Sequence, residues 1–103
     1  MDDIPVKLLL GWDIKDNQDT DYYEFVINKL IPEMRKMGLS DLEFWYTAYG
    51  DAHQIQANAT APNSDLMERI IRSDEWDDLR AELEDYVDDI VQKVIKATGG
   101  FQI

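Results

Sequence analysis

The apolar residues of this chain change their spacing along its length, and that change limits the possible folds more than any single residue does. Val6, Leu8, Leu10, Trp12 and Ile14 alternate with Lys7, Leu9, Gly11 and Asp13. A period of two marks a strand, here with one strongly apolar face and one mixed face. Residues 16–21 carry turn and cap chemistry, and Asp19 or Thr20 can offer a side-chain oxygen to the free amides that open a helix. The period then lengthens: Tyr22, Tyr23, Val26, Ile27, Leu30, Ile31, Met34 and Met37 fall at helical spacing. Pro32 removes one amide donor and predicts a kink, and Gly38 suits the C-terminal stop.

Alternation returns over residues 42–49. Gly50 and Asp51 suit a turn, and a third strand follows over residues 53–61. A hairpin loop of two residues or of four gives the same faces. Leu42, Phe44, Tyr46 and Ala48 share one with His53, Ile55, Ala57 and Ala59. Glu43, Trp45, Thr47 and Tyr49 share the other with Gln54, Gln56 and Asn58. Pro62 ends the strand, and Ser64 is placed to cap a short helix over residues 65–72. Ser73 or Asp74 is placed to cap a long one running to about Ala97. Trp76, Leu79, Leu83, Tyr86, Val87, Ile90, Val91, Val94 and Ile95 read as its continuous stripe, with acidic residues in its first turn and Lys93 and Lys96 in its last. Gly99 and Gly100 end it and leave Phe101, Gln102 and Ile103 for a short final strand. The order is β-α-β-β-α-β, an α+β chain of ferredoxin-like topology whose antiparallel sheet is covered by helices on one face.

One domain accommodates all 103 residues. The chain has no cysteine and a single histidine, His53, which removes disulfides, thiolate nucleophiles, iron–sulfur ligation and any metal site built from several histidines of one chain. Twenty-two acidic residues against ten basic ones give a net charge of −12. Such a surface repels nucleic acid and anionic membranes. A salt-rich habitat would also select this acidity. No apolar run approaches the roughly 18 residues of a membrane span, and the start Met1-Asp2-Asp3-Ile4-Pro5 is acidic where a signal peptide is basic. The expected location is the cytoplasm.

The uncovered sheet face would carry Leu9, Trp45 and Tyr49, and large aromatics gathered on one face mark a contact surface. Twofold pairing is the commonest way to cover such a face, so a homodimer is expected with these three residues in its interface. In element order and size the chain resembles the dimeric α+β-barrel superfamily, in which two ferredoxin-like sheets pack into a barrel. Three stretches carry the resemblance: Ile31-Pro32 before Met37-Gly38-Leu39, the run from Trp45 to Asp51, and Gly99-Gly100-Phe101-Gln102. It implies a homodimeric barrel and a functional range that includes small monooxygenases without metal cofactors, haem-degrading enzymes, isomerases and barrels without catalysis. The axial helix histidine and the first-strand asparagine of the haem-degrading members have no counterpart here.

His53 is the candidate for acid–base work, because histidine alone titrates near neutrality without perturbation. It is expected on the helix-covered face near Trp12 or Tyr46. The competing reading, which the lack of a catalytic partner favours, is a turn-proximal histidine bonded to backbone. Trp12, Tyr22, Tyr23, Phe44 and Tyr46 either line a cavity between helices and sheet or fill the core; Trp12, Tyr46 and His53 are the candidate ligand contacts. The acidic run from Asp74 to Asp89 reads as a solvated helix face, since a straight helix holds its carboxylates apart and hard cations need converging oxygens. Neither a metal nor a cofactor is expected. Two functions remain: a dimeric barrel that binds a small apolar ligand or is structural, and a cofactor-independent monooxygenase or isomerase acting on an apolar or aromatic small molecule.

Overall fold

The computed structural model describes residues 4–47 and 53–96. Four strands form one antiparallel sheet in the order β2-β3-β1-β4, where β1 is Val6–Ile14, β2 Ser40–Tyr46, β3 Ile55–Ala61 and β4 Val87–Lys96. The helices α1 (Asp19–Phe25), α2 (Ile31–Lys36), α3 (Ser64–Ile71) and α4 (Asp74–Leu83) supply the other layer. Val6, Leu8, Leu10 and Trp12 of β1 are buried together with Ile55, Ala57, Ala59 and Ala61 of β3. They meet Tyr22, Phe25, Leu30, Met34, Met67, Ile70, Trp76, Leu79 and Leu83 from the helical layer. The alternation in β1 and β3 therefore sets the core face, as the sequence predicts.

The first helical stretch carries a wide turn. Residues Val26–Leu30 take π-helical spacing, and the Ile31 amide donates to the Val26 carbonyl five residues back. Pro32 follows directly: it has no amide to donate and its ring crowds the carbonyl four residues earlier, so the extra residue relieves both demands. At the far end Gly38 has φ 108°, and the Leu39 amide donates to the Met34 carbonyl at 3.1 Å. This left-handed cap is the stop read from the glycine. The start differs from expectation. Neither Asp19 nor Thr20 caps α1; Gln18 holds that position without a side-chain bond. Asn63, one residue before Ser64, caps α3 through Oδ1, which accepts from the Leu66 amide at 2.8 Å. Ser73 caps α4 as expected, its Oγ accepting from the Trp76 amide at 3.1 Å.

The long final helix is the main correction. Helix α4 ends at Leu83, and residues 87–96 form the fourth strand, beside β1. A β-bulge lies behind the misreading. The pairing runs Gly11 with Val91 and then Asp13 with Asp88, so one extra residue enters β4, and Asp89 takes the left-handed conformation there at φ 58°. Residues 87 and 90 consequently lie on the same face, three apart as in a helix. Beyond the bulge both faces of β4 carry apolar residues, Val94 on one and Val91 and Ile95 on the other. Two apolar faces plus one bulge imitate helical periodicity, while the β-branched side chains themselves favour a strand. The final strand expected at residues 101–103 lies outside the described residues. No helix among those described is long and apolar enough to cross a membrane.

Candidate functional site

All four helices pack on one face of the sheet, and the side chains of the other face line up in rows. One row runs Glu43, Asn58, Leu9, Lys93 across all four strands, and the next runs Trp45, Gln56, Gly11, Val91. Lys7 stands between Thr60 and Ile95 in a third. Trp45 and Val91 are 50% and 52% exposed, and no element among the described residues covers them. Between the two edges lies a depression of about 430 Å³, lined chiefly by Leu9, Gly11, Gln56, Val91 and Lys93. Its floor is Gly11, the one position of the row without a side chain. Glycine inside a strand weakens it and commonly marks a place where another group approaches closely.

That group includes His53. A Cβ placed on Gly11 would stand 3.1 Å from Val91 Cγ2 and 3.3 Å from His53 Cδ2. The imidazole thus lies against the glycine on the uncovered face, and the helix-covered side expected for it is not where it sits. Strict alternation fails because β3 begins at Ile55 and His53 precedes it. Next along, Gln54 bonds four ways: its amide donates to Asp13 Oδ1, its carbonyl accepts from the Thr47 amide, its Oε1 accepts from the Ile14 amide, and its Nε2 donates to the Tyr46 hydroxyl. These bonds fix the chain path that sets His53 over Gly11. The His53 Nε2 is buried and has no hydrogen-bond partner among the described residues.

The other two candidate ligand contacts lie elsewhere. Trp12 is fully buried on the helix side, where its Nε1–H donates to the Tyr22 hydroxyl at 3.0 Å and its ring meets Tyr22 edge-on and Phe44 at a tilt. It packs as core. Burial pushes the Tyr22 hydroxyl up to about 12, against the Trp12 hydrogen bond and with a smaller push from Tyr23. Tyr46 is 61% exposed at the end of edge strand β2. The sheet therefore separates His53 from Trp12. Of the three expected interface residues, Leu9 and Trp45 lie on the uncovered face, and Tyr49 is outside the described residues. Gly11, Val91 and Lys93 were not among the candidates, because residues 87–96 read as helix and so no fourth strand completed the face. The signal available was the glycine inside an otherwise regular strand.

The acidic run is divided between α4, the turn after it and β4, and among the described residues no three His, Asp or Glu side chains are grouped to hold a metal ion. On the helix side of β4, Gln92 Oε1 accepts from both Trp76 Nε1 and Arg80 Nη1, each at 3.1 Å. That bond pair ties α4 to the edge strand.

Solved structures place this architecture. A protein from Bacteroides fragilis described as dimeric, of unknown function and of ferredoxin-like fold aligns over 90% of this chain and 96% of its own, with TM-score 0.60 and 13% identity. The chain has the ferredoxin-like fold. Hydroxynitrile lyase from Passiflora edulis aligns over 96% of this chain and 98% of its own, with TM-score 0.76 and 9% identity. SnoaB, a cofactor-independent oxygenase from Streptomyces nogalater, aligns over 93% and 95%, with TM-score 0.70 and 9% identity. At such identities the likeness carries the fold and none of the chemistry. No protein-family model matches the chain, and no curated protein does so either.

Proposed function

We propose that this chain works as a homodimer, its two sheets packed face to face, and that the enclosed space over Gly11 holds a small, largely apolar molecule. The observation that carries the reading is the uncovered face, where Leu9, Gly11 and Val91 line a depression of about 430 Å³ with Gln56 and Lys93, and Trp45 stands half-exposed in the same row as Gly11. Apolar hollows with a few placed polar groups are the usual form of a small-molecule site. An exposed tryptophan beside such a hollow is what a contact surface requires. The fold is shared with a protein described as dimeric, which supports the same assembly. Sedimentation velocity tests it. The wild-type chain is expected as a dimer, and Trp45→Glu, which buries a carboxylate in that contact, as a monomer. A Trp45→Glu protein that stays dimeric moves the interface off this face.

A second reading rests on His53. Its Nε2 is buried without a partner among the described residues, and buried polar groups left unsatisfied call for an explanation. In a cofactor-independent oxygenase or isomerase acting on an apolar or aromatic small molecule, that nitrogen would take a proton from the substrate. SnoaB, which shares the fold, is described as a cofactor-independent oxygenase. Oxygen uptake with hydroxyaromatic probes measures the activity. His53→Gln should abolish any turnover found with little change in melting temperature. Turnover that survives in His53→Gln removes the histidine from the chemistry.

A further inference from the structure

The helical layer carries a hollow of its own, on the side of the molecule that sheet-to-sheet packing leaves free. Between α2 and α3 lies a depression of about 320 Å³. Its walls follow from helical spacing. Glu33, Lys36 and Met37 stand three and four residues apart along α2 and its end, and Leu66, Arg69 and Ile70 repeat that spacing on α3. Glu75 of α4 closes the remaining side. The lining is also ordered from end to end. Leu66 comes within 3.1 Å of where a Cβ on Gly38 would stand, next to Met37, so the apolar end lies where α2 stops. Glu33 and Glu75 also border the neighbouring hollow, toward Asp78 and Glu82, and mark the acidic end. Arg69 stands between the two, one turn beyond Leu66 on the way to α4.

The chain does not use up these charges internally. Lys36 is tied to Glu33 at 3.4 Å, and Lys29 to Glu82 at 2.8 Å. Arg69 and Glu75 are exposed, and neither has an ion-pair partner among the described residues. We propose that this hollow binds a free α-amino acid with an apolar side chain. Arg69 takes the carboxylate on its forked N–H groups, and Glu75 takes the ammonium. Met37, Leu66 and Ile70 receive the side chain. Ile70 belongs to the core, and Met37 and Leu66 pack against it, so the floor is fixed while the charged groups at the rim can close on a ligand. A volume of about 300 Å³ is the small end of ligand pockets and suits a molecule of this size. Net charge separates this ligand from a simple carboxylate. A chain carrying −12 repels an anion, whereas a zwitterion approaches without that repulsion and finds both of its charges answered. An amine without a carboxylate would leave the Arg69 guanidinium unpaired beside its own positive charge.

Methionine signals make the test specific to the site. Of the four methionines, Met37 lines the hollow, and Met34 and Met67 are buried in the core. The full chain is titrated with L-leucine, followed by the methionine ε-methyl resonances and by calorimetry. The Met37 resonance, assigned through Met37→Leu, should move, with a dissociation constant of about 1 mM or tighter. L-Leucinamide, which lacks the carboxylate, and isocaproate, which lacks the amine, should each bind at least tenfold more weakly. Arg69→Gln should erase the preference for leucine over leucinamide, and Glu75→Gln the preference over isocaproate. Both positions are exposed, and circular dichroism confirms that the variants are folded. A Met37 resonance unmoved by millimolar leucine overturns the proposal. So does isocaproate binding as tightly as leucine, which would make the hollow a plain carboxylate site. Leucine affinity unchanged in both variants would place the amino acid elsewhere and overturn it as well.

Discussion

At the scale of single residues, the buried pair Trp12 and Tyr22 shows how a polar atom enters this core without penalty. The indole N–H donates to the hydroxyl, and each ring also meets an aromatic neighbour. Tyr22→Phe keeps the shape and removes the acceptor, leaving a buried donor unsatisfied at a cost of roughly 1–3 kcal/mol. Urea unfolding should show that loss, and a loss near zero would mean that Trp12 finds water. The same residue gives the fold an alkaline limit. Unfolded Tyr22 ionises near 10 and folded Tyr22 near 12. Its contribution is complete below pH 10 and is lost as pH rises toward 12, because the unfolded chain gives up the proton first. Tyr22→Phe should flatten that part of the stability profile. His53 works differently. It gained its place from a glycine beneath it and from the bonds of Gln54 beside it, and no periodic pattern in the sequence encodes either.

At the scale of elements, the sheet shows which parts of the fold the sequence announces. Strand β1, the faces of the paired stretch from Glu43 to Tyr46, the helix stop at Gly38 and the Ser73 cap all follow from alternation, glycine chemistry or a hydroxyl placed before an apolar run. Phe44 lies opposite Ala57 and Trp45 opposite Gln56, as the alternation requires. Strand β4 escaped notice because its bulge and its two apolar faces reproduce the spacing of a helix, and because α4 runs toward it without a glycine or proline between. Its β-branched residues carried the better signal. The site was legible only in part for the same reason. Leu9 and Trp45 could be set on the uncovered face, but the hollow beside Leu9 needs Val91 and Lys93 from β4. Trp76 anchors this region: it is buried and donates its indole N–H to Gln92 of β4. Trp76→Ala should cost about 3–5 kcal/mol, as aromatic truncations in cores do. A loss below about 1 kcal/mol, the range of surface changes, would contradict that anchoring role.

At the scale of the whole molecule, one sheet has to serve two environments. Its helix side is closed by a full apolar core. Its other side presents a half-exposed tryptophan, a glycine-floored hollow and charges of both signs, Glu43 on one edge and Asp88 and Lys93 on the other. Of the three tryptophans only Trp45 reports on this face: Trp12 and Trp76 are buried in the core, so a change in Trp45 fluorescence on dilution would follow a contact made there. The most direct test of the central claim is native mass spectrometry of the protein as purified, which reads assembly and retained small molecules together. The account predicts a dimer, with extra mass when the hollow keeps its ligand. A monomer at micromolar concentration would contradict it.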